Sequence, residues 1–249
     1  MGNHELWHTP YESLADGSFC TGPTSLTRHL AILQLAHSLG IHVCPTLLGD
    51  DLAIVPLQSW YHFGFLHPGA ARLANPPPTF ELREMDGACK WPAELARRST
   101  DATLAPYFAR LNDELGLTPD AVTQRAGART LVTFSHFLPR PELHRGFGNL
   151  GANLADVEGS KPLGEQVGAL SSAVHVFGHT HWAIDMYVDG TRYVQYPLGY
   201  ANERERAPYR VHATEAEPFA LVWERGVGVA SSAGLSLQAM QTVQSCTTS

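Results

Sequence analysis

Thirteen histidines stand in this chain of 249 residues, and three short segments place some of them where they could do chemistry. Gly2-Asn3-His4-Glu5 opens the chain, Ser135-His136 follows the apolar run Leu131–Phe134, and Gly178-His179-Thr180-His181 follows Val174–Phe177. All three share one grammar: an apolar strand or the chain start, then a small residue, then histidine. A glycine at a strand end lets the backbone turn sharply and come close to a bound ion. Neutral imidazole is the commonest protein ligand for zinc, iron and manganese-type ions. His179 and His181 are two residues apart, which in an extended segment puts both rings on one side, facing the same or adjacent metals. Asn3 offers a neutral amide oxygen, a hard ligand, while His4 beside it could stay unligated and donate a proton. The other histidines, His29 and His175 among them, lack such a pattern and are expected as surface or packed imidazoles.

These segments need strands to hold them. Thr130–Phe134 and Ala173–Phe177 read as buried strands, with His136 and His179 just past their carboxyl ends. Ile41–Cys44 and Leu52–Leu57 read as two further strands joined through the Gly49-Asp50-Asp51 turn. Ala183–Val188 and Arg192–Gln195 flank Asp189-Gly190, a strong hairpin signal. Phe219–Glu224 is the last expected strand. Helices are expected over Leu26–Leu39 with Ser25 as N-cap and Gly40 after its end, over Ala102–Leu115 closed by Gly116, after Thr118-Pro119, and over Pro162–Leu170. Apolar residues at Leu26, Leu30 and Leu33 mark the buried face expected for the first of these. From Trp60 to Trp91 the pattern gives way to a Pro-rich excursion, with Trp60-Tyr61 read as aromatic packing. Helices mixed with strands, and histidine turns directly after the strands, make an α/β domain whose site lies at the strands' carboxyl ends.

Gly-Asn-His-Glu, a strand-terminal histidine and Gly-His-Thr-His, in that order, resemble the calcineurin-like metallophosphoesterase superfamily. The contexts His4-Glu5-Leu6-Trp7, Ile54–Tyr61, Ser135–Pro139 and Tyr196-Pro197-Leu198-Gly199-Tyr200 extend the resemblance from Gly2 to about Arg206. It implies a fold of two β-sheets face to face with helices outside. It also implies hydrolysis of a phosphate mono- or diester by a metal-activated water, with two divalent ions, commonly manganese, iron or zinc. Carried over residue by residue, Asn3, His136 and His179 would bind one metal, His181 the other, and His4 would protonate the leaving alcohol. The partner implied is a phosphorylated substrate of unspecified class.

The family's Asp-x-His and Gly-Asp-x-x-Asp motifs precede Gly-Asn-His-Glu, and here only Met1 does. Gly49-Asp50 lies downstream, in an expected turn. The reading is thus of an N-terminally truncated domain over 1–225, missing its first strand or strands, with 226–249 as a tail. Two unit charges 4 Å apart interact by ~4 kcal/mol at an effective dielectric of ~20, so two dications repel by roughly 16. Bridging carboxylates normally offset that repulsion, whereas Asn3, His136, His179 and His181 are all neutral. The expectation is at most one weakly held ion and impaired hydrolysis. The alternative is a non-catalytic binding or regulatory module on the same scaffold.

Composition sets the outer bounds. With 17 Lys and Arg against 24 Asp and Glu, the formal charge is -7, the wrong sign for binding through a nucleic-acid backbone. No apolar run approaches the ~20 residues of a membrane span. Cys20, Cys44, Cys89 and Cys246 are dispersed, with neither zinc-knuckle nor disulfide-framework spacing, and are expected as buried free thiols. That usage, and a start without a signal-peptide pattern, give a cytoplasmic expectation. Arg204 and Arg206 are within reach of a substrate phosphate, but a solvated Glu203–Arg206 charge cluster is the preferred reading.

Overall fold

A computed structural model describes residues 1–8, 24–62, 65–66, 86–95, 101–127, 129–145, 157–206 and 219–230. Its centre is a six-stranded mixed sheet in the order β1-β2-β3-β4-β6-β5. The strands are β1 (Thr46–Leu48), β2 (Leu52–Pro56), β3 (Thr130–Phe134), β4 (Val174–Val176), β5 (Ile184–Val188) and β6 (Thr191–Gln195). β2, β3, β4 and β6 run parallel, with Val55 opposite Thr133, Phe134 opposite Val176 and Val176 opposite Val194. β1 and β5 close the two edges as antiparallel hairpin partners of β2 and β6. In the β5–β6 turn both Asp189 and Gly190 have positive φ, 48° and 83°, as a tight mirror-image hairpin turn requires.

The sheet is apolar on both faces, as parallel strands covered on two sides must be. Leu52, Val132, Val174 and Val194 face Ala220, Val222, Trp223 and Val229. This covering segment carries a small second sheet, β7 (Trp223–Glu224) paired antiparallel with β8 (Gly228–Val229). Arg192, buried in β6, ties the layers together. Its guanidinium binds both oxygens of Asp185 at 2.8 Å and donates to the carbonyls of Leu221 and Ala230. The two-sheet architecture is therefore present with a short second sheet. The opposite face packs Val55, Leu57, Phe177 and Tyr193 against Leu163, Val167 and Leu170.

Among the described residues, five α-helices flank these layers: α1 (Ser25–Ser38), α2 (Asp101–Glu114), α3 (Pro119–Ala126), α4 (Lys161–Ala169) and α5 (Ala201–Arg206). Caps written in the sequence start several of them. The side chains of Thr118 and Ser160 accept from Ala121 and Leu163 backbone N–H groups, each beside a first-turn proline. α2 contributes Leu104, Phe108 and Leu111 to a cluster with Leu6, Trp60 and Phe137. Its Asn112, fully buried, accepts from the Gln58 N–H at 2.8 Å and donates to the Gln58 carbonyl at 2.9 Å. That amide clamps the chain as it leaves β2, and Trp60 and Tyr61 are buried just beyond.

Several expectations are corrected. Ile41–Cys44 is not a strand; β1 begins at Thr46. Of Phe219–Glu224 only Trp223 and Glu224 form a strand, which pairs with β8 past residue 225. Residues 231–249 lie outside the described ones. Thr24, not Ser25, caps α1 through a capping box with Thr27. The buried residues of α1 are Ser25 and His29, whereas Leu30 is 41% exposed. Polar contacts decide that face: Ser25 Oγ donates to the Leu6 carbonyl and accepts from the Lys90 N–H, both at 2.8 Å. Cys44 is exposed and Cys89 half-buried, and both are free thiols; Cys20 and Cys246 lie outside the described residues. Among the described residues no helix is long and apolar enough to cross a membrane.

Candidate functional site

The parallel strands end together, and the hydrogen-bond ladder continues into the turns that carry histidine. Ser135 N–H donates to Val176 O, Phe177 N–H to Val194 O and Gly178 N–H to His136 O, each at 3.0 Å. The turns after β3 and β4 are thereby locked side by side. His179 and His181 do not lie in an extended segment as expected. Their φ angles are 75° and 55°, in the left-handed region that non-glycine residues enter at a cost, a feature concentrated at functional sites.

The Asn3 segment is brought to the same place by α1 and by Asp86. A 3-10 turn over His4–Leu6 follows Asn3, whose carbonyl accepts from the Leu6 N–H at 3.0 Å. Leu6 is buried, and Ser25 and Arg28 of α1 donate to the Leu6 and Glu5 carbonyls. Asp86 Oδ1 accepts from Asn3 Nδ2 at 3.0 Å and Trp7 Nε1 at 2.9 Å, and its Oδ2 from the Tyr61 hydroxyl at 2.9 Å. A Cβ on Gly2 would meet His136 Cε1 at 2.8 Å, so only glycine allows this approach.

Proton positions follow from these partners. A carboxylate only accepts, so Asn3 turns its amide nitrogen to Asp86 and its Oδ1 inward. A carbonyl only accepts, so His179 Nε2, 3.1 Å from Val157 O, carries the ring proton and Nδ1 presents its lone pair. His136 Nε2 sits 3.1 Å from Asn3 Oδ1 and 3.1 Å from His179 Nδ1, and donates to both. Replace that proton by a cation, and three lone pairs meet at one point.

These spacings fit a metal ion. Ligand atoms roughly 2.1 Å from a metal lie about 3.0–3.4 Å apart in octahedral or tetrahedral arrangements. Burial, reinforced by its neighbour His179, holds His136 down to about 2, and burial holds His179 down to about 4. Both rings are thus neutral ligands at neutral pH. A ligating histidine whose other nitrogen donates to a carbonyl is the usual support of a metal site. Among the described residues no group of three or more His, Cys, Asp or Glu is gathered to hold an ion; the convergent set is two imidazoles and an amide. Such a set could hold one ion, and the carboxylate that borders the cleft around it is that of Glu5.

His181 stands apart from this trio. Its Nδ1 faces the Glu203 carboxylate at 3.0 and 3.1 Å, and its ring packs on Tyr200 with centroids 5.1 Å apart. His4 is exposed and stacked on Trp7, with centroids 4.0 Å apart. Both line the same cleft of about 330 Å³ as Gly2, Asn3, Glu5, His136, His179 and Tyr200. All five site residues expected from the sequence therefore border one cavity. Three residues escaped that reading: Asp86, Glu203 and Val157, which acts through its carbonyl. Glu203 is partnered rather than simply solvated: besides His181 it accepts from the Tyr200 N–H at 2.8 Å. Arg204 donates to the carbonyls of Leu198 and Gly199 rather than facing the cleft.

No family model and no curated protein matches this chain. Among solved structures, it is similar to the phosphopantetheinyl hydrolase (PptH) of Mycobacterium tuberculosis. The TM-score is 0.57 at 20% identity, over 84% of this chain and 71% of that one. A second solved structure aligns at a TM-score of 0.35 and 15% identity, too distant to carry weight. At such identity the likeness speaks for the fold: a mixed α/β sheet flanked by helices, shared with a hydrolase.

Proposed function

We propose that this chain is a metal-dependent phosphoesterase, hydrolysing a phosphate mono- or diester in the cleft at the carboxyl ends of β3 and β4. The observation that carries this reading is the pair of 3.1 Å contacts joining Asn3 Oδ1, His136 Nε2 and His179 Nδ1. The likeness of fold to a hydrolase supports it. Asn3, His136 and His179 would hold one divalent cation of the manganese, iron or zinc type. Such an ion, when bound, supplies Lewis-acid charge to phosphate oxygens and a nucleophilic water at neutral pH.

The chain's own residues do the rest. Asp86 fixes Asn3, and the Val157 carbonyl fixes the tautomer of His179. His4, exposed at the mouth and steadied by the Trp7 face, donates a proton to the departing alkoxide. His181, oriented by Glu203, borders the same cleft and would contact the substrate phosphate. The neutral ligand set favours a second reading, a binding module that holds one ion without turnover.

Calorimetry with Mn²⁺ and an aryl-phosphate assay test this. About one ion per chain and metal-dependent hydrolysis are expected, both reduced at least ~100-fold in His179→Ala, the scale of losing a metal-held transition-state contact. Binding without hydrolysis would select the module. Hydrolysis that survives both chelation and His179→Ala would overturn the metal reading.

A further inference from the structure

A second cleft, of about 300 Å³, opens directly beside the first and shares His136, His179 and His181 with it. Its remaining wall is Phe177, Gly178, Gln195 and the segment Tyr196-Pro197-Leu198-Gly199. This wall offers little polar chemistry. Phe177 is buried, and the Gln195 amide is engaged with Thr180 Oγ1 at 3.1 and 3.2 Å. At the rim, Leu198 is 64% and Tyr200 57% exposed, two large apolar surfaces beside a polar centre.

Charge is the second observation. Among the described residues, neither cleft is lined by lysine or arginine. The nearby Arg28 donates to the Glu5 carbonyl and Arg204 to the carbonyls of Leu198 and Gly199, so both shape the walls. The first cleft carries the exposed Glu5 carboxylate at its mouth, and Glu203 stands behind His181. A doubly charged phosphate monoester, or a ligand with several phosphates, would bring more negative charge against these two carboxylates than a diester does. A diester carries one charge, and its second ester group needs a seat of its own.

We infer that the second cleft is a subsite for an apolar or aromatic ester arm, and that the site takes singly charged phosphodiesters in preference to monoesters. This rests on the phosphoesterase reading of the first cleft. The ester arm lies against Tyr196, Pro197 and Leu198 while the phosphate sits by His136 and His179. Water adds to phosphorus, the P–O bond to one alcohol breaks, that alcohol leaves with one of the water's protons, and the other ionises from the new phosphate oxygen to solvent. The monoester that remains carries the added charge and is released.

Binding and turnover are measured separately on the full chain with Mn²⁺. Calorimetry compares diphenyl phosphate with phenyl phosphate, and steady-state rates compare bis(p-nitrophenyl) phosphate with p-nitrophenyl phosphate. The diesters are expected to be favoured at least about tenfold, the scale of one aromatic ring removed from water. Leu198→Arg, a surface substitution, is expected to erase or invert that preference. Equal or tighter binding of phenyl phosphate overturns the inference, as does a diester preference that Leu198→Arg leaves unmoved. If neither ester is hydrolysed but diphenyl phosphate keeps its advantage, the subsite stands and the hydrolase reading falls.

Discussion

One proton marks the centre of the site: His136 Nε2–H, shared between an amide oxygen and an imidazole nitrogen at equal distances. Its neighbours were legible in the sequence because each sits in a local pattern, a strand, a small residue and a histidine. Their supports were not. Asp86 lies 83 positions from Asn3 and Glu203 lies 22 from His181, separations that no periodicity encodes. Asp86 is also the group most open to test. Asp86→Asn removes the charge that orients the Asn3 amide while keeping the side chain's size. Mn²⁺ affinity measured by calorimetry is expected to fall about 10–100-fold, as for other outer-shell partners, with the far-UV circular dichroism of the parent. Unchanged affinity would show that Asn3 does not depend on it.

Elements were read best where a local signal is strong. Thr118 before its first-turn proline, Gly116 after α2 and Asp189-Gly190 between β5 and β6 all act as their residue types dictate. α1 shows where that logic stops. Its leucines suggested one buried stripe, but Ser25 and His29 are the buried residues, because a hydroxyl bonded on both sides docks the helix. Ser25 thereby joins α1 to the turn that carries Asn3 and to the segment that carries Asp86. Ser25→Ala is expected to cost about 1–3 kcal/mol, the penalty for stranding a buried partner, and to weaken Mn²⁺ binding in parallel. Urea denaturation and metal titration measure the two effects; a loss of stability without any loss of affinity would separate helix docking from the site.

At the scale of the whole molecule, stability depends on imidazoles kept neutral. His29 is buried against Phe108, and neither ring nitrogen has a hydrogen-bond partner. Burial lowers it from 6.5 to about 4. Below pH 6.5 the unfolded chain takes up a proton that the folded chain refuses, so stability falls as pH drops from 6.5 towards 4. His29→Leu is expected to flatten that slope, its benefit at pH 5 exceeding that at pH 7 by about 1–2 kcal/mol. Denaturant midpoints across that range give the answer; a slope identical to the parent's would place the sensitivity elsewhere. Most strands of the main sheet followed from apolar runs and turns, whereas their order across the sheet is set by contacts distant in sequence. The second sheet did not, since β7 and β8 have two residues each, too few for any alternation to register.

The site's parts come from far along the chain: Asn3 bonds His136 across 133 residues, and His136 bonds His179 across 43. During vectorial synthesis the earliest contributor waits, unpartnered, until the strands that hold the others have emerged and docked. On the proposed reading, capture of an ion would be a late event, possible only once the segments that carry Asn3, His136 and His179 have docked. A cation offered during refolding should change the yield of finished molecules more than the speed of the first collapse, since early intermediates have nothing with which to grasp it.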